Sequence, residues 1–273
     1  MDDLNIAAVC MRAEPGRIEQ NLERIRNSAM KAAAAGADVV CFPELSVTGY
    51  AVNDPEELCS GREPGELTAQ LQDMAKAAGV ALIAGLVETS VGRKPYITQV
   101  LVCPDGLVGR HRKTHLSPME RNVFSAGEDI GVFSYGNTTF GIQLCYEAHF
   151  PEISTVMALK GAELVFIPHA SPRGDGEEKL GSWMRHLTAR AFDNGMFVVA
   201  ANQVGETTHG LSFPGVIVVL GPDGRKLAGY TGQKERILYA RLRADELQAV
   251  RSHRMRYFIP GRRPELYRRI VDA

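Results

Sequence analysis

The sequence predicts an α/β protein in which two sheets pack face to face, with helices on the outside and two similar halves. Three observations carry this. Short, wholly apolar runs of the kind buried on both faces alternate with amphipathic helical stretches. The second half of the chain echoes the first. A length of 273 residues, 45% hydrophobic and 23% charged, suits one large core rather than a disordered chain.

Residues 4–10 read as a strand, and 17–35 as a helix with Ile18, Leu22, Ile25 and Ala29 on one face, ended by Gly36. The apolar run 38–42 follows as a strand and stops at Pro43 and Glu44, closing a β-α-β unit. Further strands are expected at 81–88, 98–103, 139–144, 163–167, 196–201, 216–220 and 236–241, and helices at 65–78, 151–160, 177–194 and 244–250. The echo aligns GADVVCFPE, from Gly36 to Glu44, with GAELVFIPH, from Gly161 to His169. It recurs where VLVCPDG, ending at Gly106, matches VVLGPDG, ending at Gly224; each is a strand running into a turn with Pro at its second position. The strand entering Cys10 loosely matches the one entering Cys145. Three matches in the same order favour an approximate two-fold arrangement, which buries both sets of apolar strands.

A formal net charge of −1 offers no electrostatic case for nucleic acid or an anionic membrane as partner. The acidic amino terminus lacks the charge and apolar length of a secretory signal, and no apolar run spans a bilayer. Five cysteines, Cys10, Cys41, Cys59, Cys103 and Cys145, form no Cys-x-x-Cys pair; the expectation is a reduced, cytoplasmic protein without a disulfide framework or structural zinc. The C-terminal stretch differs from the rest, because Arg251, Arg254, Arg256, Arg262, Arg263, Arg268 and Arg269 crowd there among large apolar side chains.

Three segments each place one reactive side chain where a strand ends, which is where α/β folds assemble their sites. Glu44 directly follows a buried run, so its backbone is held and its pKa can be raised. Lys113 stands in GRHRKTHL, ending at Leu116, which by itself reads as a surface charge run. The spacing of His111 and His115 suggests a metal site on a helix, but no neighbouring carboxylate or cysteine completes a ligand set, so none is expected. Cys10, Cys41 and Cys103 sit in apolar strands as structural residues. Cys145 instead enters a polar turn and a helix started by Pro151, which exposes the sulfur and aims backbone N–H groups at a carbonyl it attacks.

Together these motifs resemble the nitrilase superfamily of carbon–nitrogen hydrolases. The likeness rests on Phe42-Pro43-Glu44-Leu45 with Gly49-Tyr50, on Arg112-Lys113-Thr114-His115-Leu116, and on Cys145-Tyr146-Glu147 with Phe150-Pro151-Glu152. It continues through the helix from Trp183 to Asn194 and Phe213-Pro214-Gly215 as far as Tyr267. Two positions depart from the family pattern: Glu147 stands where many relatives have aspartate, and Val216-Ile217 replaces a small pair. The resemblance implies a four-layer α-β-β-α sandwich with internal pseudo-two-fold symmetry. It also implies Cys145 as nucleophile, Glu44 as general base, Lys113 facing the tetrahedral intermediate beside the Tyr146 N–H, and Glu120 orienting Lys113 or substrate. The residue types make chemical sense, since a carboxylate that takes the thiol proton and a nearby ammonium both speed attack.

The expected activity is hydrolysis of a small amide through a cysteine thioester, with N-carbamoyl compounds and then nitriles as alternative substrates, and with no cofactor. Tyr50, Tyr146, His169 and Ser171 are expected to form the substrate pocket, with Trp183 near. A cysteine peptidase would need a histidine base, for which His149 or His169 stand as nominees, and leaves Glu44 and Lys113 without roles. A catalytically silent binding module is disfavoured because all three reactive residues are present. The resemblance further implies a homodimer or larger homo-oligomer, in which 251–273 extends a domain spanning 1–273 into a subunit interface.

Overall fold

A computed structural model of the protein describes residues 1–52, 55, 57–90, 92–106 and 108–271. Its first half runs β1 (Leu4–Cys10), α1 (Ile18–Ala34), β2 (Val39–Cys41), α2 (Pro64–Ala78), β3 (Ala81–Ser90), β4 (Arg93–Val102) and β5 (Val108–Arg112). The second runs β6 (Val132–Tyr135), β7 (Thr138–Ile142), α3 (Pro151–Leu159), β8 (Leu164–Pro168), α4 (Gly176–Asn194) and β9 (Phe197–Ala201). The short ribbon β10 (Gly205–Glu206) and β11 (Ser212–Phe213) follows, then β12 (Gly215–Leu220), β13 (Lys226–Gly232), β14 (Arg236–Leu242), α5 (Ala244–Arg251) and α6 (Arg268–Val271).

Two six-stranded sheets form, in the orders β14-β1-β2-β3-β4-β5 and β13-β12-β9-β8-β7-β6. Read from the opposite edge, the second sheet repeats the first: an antiparallel outer strand, three parallel strands, then two antiparallel ones. The sequence echoes fall on this correspondence, β1 with β7, β2 with β8 and β4 with β12. Both PDG turns close as expected, with Gly106 N–H donating to Cys103 O at 3.0 Å and Gly224 N–H to Gly221 O at 2.9 Å.

Alternation along the strands sorts side chains into layers. Ile6, Ala8, Phe140, Ile142 and Phe166 meet between the sheets. Ala7, Val9 and Val40 face Ile18, Leu22, Leu67 and Leu71 of α1 and α2. Val165, Ile167 and Val198 face Met157 of α3 and Leu187 of α4. The result is the four-layer α-β-β-α sandwich. Among the described residues no helix is long and apolar enough to cross a membrane.

Besides the short ribbon β10–β11, three strands of the large sheets escaped the sequence reading, β5, β6 and β13. Each lies at or next to a sheet edge and carries polar or half-exposed residues instead of an apolar run. The GRHRKTHL stretch is accordingly not a surface charge run or a helix. It is edge strand β5 running into a buried Lys113.

Candidate active site

Glu44 is placed by clamps on its backbone. Two glutamine side chains do the holding: Gln99 Nε2, from β4, donates to Phe42 O at 3.2 Å, and Gln203 Nε2, from the loop after β9, to Glu44 O at 2.9 Å. The turn after it lies against β3 so closely that a Cβ on Gly85 would stand 2.3 Å from Leu45 N, which only glycine allows. Leu45 itself is left-handed, φ 53°.

Lys113 continues the ladder of β5, its N–H donating to Ile97 O at 2.8 Å. Its side chain runs inward to a fully enclosed ammonium that donates to Glu44 Oε1 at 2.7 Å and Glu120 Oε1 at 2.9 Å. Glu120 Oε2 accepts the Ser117 N–H at 2.8 Å, and Tyr50 Oη donates to Glu120 Oε1 at 3.2 Å. Glu44 Oε2 accepts the Ala170 N–H at 2.9 Å.

Cys145 leaves β7 with φ 45° and opens a 3₁₀ turn, Cys145–His149, that leads into α3. The first N–H groups of such a turn have no acceptor within it, so the Tyr146 N–H is free for a ligand oxygen. Glu147 anchors the turn. Its carboxylate accepts from Leu144 N–H at 2.5 Å, Thr114 N–H at 2.7 Å and Thr114 Oγ1 at 2.6 Å, and pairs with His111 Nε2 at 2.9 Å. One buried side chain thereby ties the segment carrying Lys113 to the segment carrying Cys145. This corrects the metal reasoning: His111 does have a carboxylate partner, but the pair is a brace between strand ends, and the His115 ring packs at a tilt against Phe150, centroids 4.2 Å apart. No metal-ligating cluster occurs among the described residues.

Electrostatics follow from burial and these partners. Burial, with the charge of Glu120, raises the Glu44 carboxyl above its usual range, although Lys113 pulls it back. Burial works against the Lys113 charge, yet Glu44 and Glu120 outweigh it and hold the ammonium well above the ordinary lysine value. The Cys145 thiol is pushed up by burial and by Glu44, and Lys113 offsets only part of this. Lys113 favours the thiolate, but its charge is already shared by two carboxylates, so burial and Glu44 prevail at the sulfur. The resting thiol keeps its proton next to a carboxylate with raised proton affinity, an arrangement suited to proton transfer during attack.

Burial opposes ionisation of Glu147, but His111 and the Leu144 and Thr114 donors outweigh it and bring its pKa to about 2. A carboxyl whose folded pKa lies below its unfolded value adds stability above the unfolded pKa and loses it as pH falls through the folded one. Between about pH 4.5 and 2 the fold should thus lose on the order of 3 kcal/mol from this group. Thermal denaturation over that range checks it: Glu147→Gln should flatten the acid branch, and an acid branch unchanged by the substitution would exclude Glu147 as its source.

A cleft of about 300 Å³ opens over these groups, lined by Lys113, Glu120 and Cys145 together with Tyr50, Tyr146, His169 and Ser171. Of the eight residues singled out in the sequence, only Glu44 does not line it, reaching the site through Lys113 and the Ala170 N–H. His169 Nδ1 lies 2.7 Å from Ile167 O and its ring stacks on Trp183 at 3.9 Å; burial keeps it neutral, well below the usual histidine value. Ser171 is fixed by Asn202, which accepts its N–H at 2.8 Å and donates to its O at 3.0 Å.

The sequence reading missed His186, Arg173 and Lys179. His186, three residues after Trp183 on α4, packs its ring against that of His149 with centroids 4.4 Å apart and planes tilted by 38°, and both line the cleft. Helical spacing from Trp183 was the available signal. Arg173 and Lys179 belong to the loop and helix after the Pro168-His169 echo, which pointed to that region without naming them.

A thiol, a buried carboxylate and an ammonium meeting at one end of an α-β-β-α sandwich define a class of cysteine-dependent hydrolases. The family model described as Carbon-nitrogen hydrolase matches residues 5–252, and the chain belongs to that family, within the nitrilase superfamily. It is 30% identical over 257 residues to a nitrilase of Pyrococcus abyssi, covering 92% of this chain and 93% of that one. It is 32% identical over 250 residues to an (R)-stereoselective amidase of Pseudomonas, covering 91% and 88%. An amidase from Nesterenkonia superposes with a TM-score of 0.82 at 31% identity, covering 97% of this chain and 95% of that one. The protein is a carbon–nitrogen hydrolase.

Proposed function

We propose that the protein hydrolyses small amides through a thioester on Cys145. The carrying observation is the buried Glu44–Lys113–Glu120 chain of short contacts beside a partly accessible cysteine in a left-handed turn. Glu44 takes the Sγ proton as sulfur attacks the carbonyl carbon, and Lys113 and the Tyr146 N–H face the oxyanion. Glu44 then passes the proton to the leaving nitrogen as the C–N bond breaks. It next draws a proton from water, whose oxygen attacks the thioester carbon; the C–S bond breaks, the acid leaves, and Glu44 returns the proton to Sγ. Glu120 positions Lys113. Tyr50, Tyr146, His169 and Ser171 surround the substrate.

Amides come first because two of the three relatives above are amidases, and the Nesterenkonia enzyme has been captured with butyramide. N-carbamoyl compounds and nitriles are the ordered alternatives. The three groups supply nucleophile, base and oxyanion charge, so no metal or organic cofactor enters the scheme. Ammonia release across amides, carbamoyl compounds and nitriles, with and without EDTA, tests both points. Release from none of them, or release abolished by EDTA and restored by zinc, would overturn the scheme.

The same reading includes a cytoplasmic, single-domain enzyme acting without nucleic acid or membrane partners, supported by five free cysteines and a net charge near zero. It also includes a homodimer joined through the C-terminal extension, of which 272 and 273 lie outside the described residues. Met255, Leu266, Ile270 and Val271 remain 73%, 62%, 60% and 83% exposed there, far more than a tail folded wholly onto its own subunit requires. Arg251, by contrast, is a structural residue of α5, donating to Gly195 O and Ala162 O. Truncation after His253 spares it. Light scattering of that truncated protein should show a halved particle mass; a folded product of unchanged mass would remove the extension from the interface.

A further inference from the structure

We propose that Arg173 forms an anion-recognising arm of the cleft, and that the preferred substrate is an amide bearing a carboxylate distal to the scissile bond. The inference rests on the amidase reading above and adds the charge of the substrate. Arg173 lines the cleft, is exposed, and takes part in no ion pair among the described residues. The one carboxylate lining the cleft, Glu120, is already held by Lys113. Asp175 and Glu178, close in sequence, cap α4 through each other's backbone N–H groups. A guanidinium at the mouth of a small-molecule cleft without a protein partner is suited to a planar, two-oxygen anion.

Its backbone supports the same conclusion. Arg173 has φ 73°, followed by Gly174 at φ 75°. Left-handed backbone is uncommon outside glycine, asparagine and aspartate, and such outliers gather at functional sites. Of the four non-glycine residues with positive φ among the described residues, Leu45, Ser60, Cys145 and Arg173, two line this cleft and a third directly follows Glu44. The arm is also pinned: Arg173 N–H donates to Ser212 O at 2.9 Å, and Asn202 fixes Ser171.

A second cation reinforces the field. Lys179 Nζ donates to Ser171 Oγ and Pro172 O, both at 2.9 Å, which leaves one of its three N–H donors unspent beneath the same loop. The cleft that holds the thiol and the arm is also lined by Tyr50, Met119, Trp183 and Leu211. Such a wall accommodates a short hydrocarbon linker between amide and carboxylate.

The test compares kcat/KM for glutaramate, for neutral valeramide and for cationic δ-aminovaleramide. The native enzyme should favour glutaramate over valeramide by about tenfold, as a charge-assisted bidentate pair provides, with the amino-amide poorest and the preference eroding as salt rises. Arg173→Asn, which tolerates the left-handed backbone, should bring the glutaramate-to-valeramide ratio near one through KM, and Arg173→Lys should keep part of it. A native ratio near one, or a ratio that survives Arg173→Asn, overturns the proposal. Calorimetric binding of glutaramate to Cys145→Ala separates the anion arm from the chemistry. Binding lost in Cys145→Ala/Arg173→Asn supports the arm even if no amide is turned over, whereas absent binding alongside normal valeramide hydrolysis overturns the arm and leaves the hydrolase intact.

Discussion

Cys145→Ala should abolish amide turnover while leaving a folded protein, and Cys145→Ser should do nearly the same. The expected loss is roughly four to six orders of magnitude, as for other enzymes deprived of a nucleophile acting in a concerted group. Stability should hardly change, because alanine accepts φ 45° no worse than cysteine does and fills slightly less of a cleft already open to solvent. Ammonia release and thermal denaturation check the two halves; turnover near the native level in Cys145→Ala would sink the thioester scheme. Iodoacetamide adds an independent reading. Cys10, Cys41 and Cys103 are fully enclosed and Cys59 nearly so, leaving Cys145 the one thiol a reagent can reach without opening the fold. Because burial and Glu44 keep that thiol protonated, its alkylation rate should climb with pH without levelling off near the free-cysteine value of about 8.5.

Lys113→Met should be costly in both activity and stability. It removes the cation that bridges Glu44 and Glu120, two enclosed carboxylates that then repel each other. Losing one partner of a buried ionic group costs about 3–5 kcal/mol. An oxyanion-facing donor is worth about 10²–10³ in kcat. The pH dependence distinguishes this from a packing defect. In the variant both carboxyls have raised folded pKa values, so their contribution to stability is present at low pH and lost as pH rises through those values. The variant's melting temperature should therefore rise on acidification from pH 8 toward about pH 5. A melting temperature that falls there, or a variant of native stability, would mean that Lys113 does not hold the two charges together.

Much of this site is legible in sequence because its chemistry stands where apolar strands stop. The run before Glu44, and its echo before His169, mark strands buried on both faces, and burial forces the first polar residue beyond each to a defined place. The strand entering Cys145 works in the same way. Strands β5, β6 and β13 were not legible, since an edge strand needs no apolar alternation to hydrogen-bond to a neighbour. That is why the stretch holding Lys113 read by itself as surface charge and why the carboxylate partner of His111 went unseen.

The sequence by itself determined the residue types, the order of the two halves, the layer each apolar face would join and the family. Pairing across the sheets was decided only by tertiary structure: that Lys113 spans two carboxylates, that Glu147 ties two strand ends together, and that Arg173 turns left-handed at the mouth of the cleft. The first two depend on residues far apart in the chain meeting at short range, 69 positions for Lys113 and Glu44 and 33 for Thr114 and Glu147. Local propensity encodes strands and turns one segment at a time. The pKa of a buried group and the partner of a charge are set by what the rest of the fold brings within hydrogen-bonding distance.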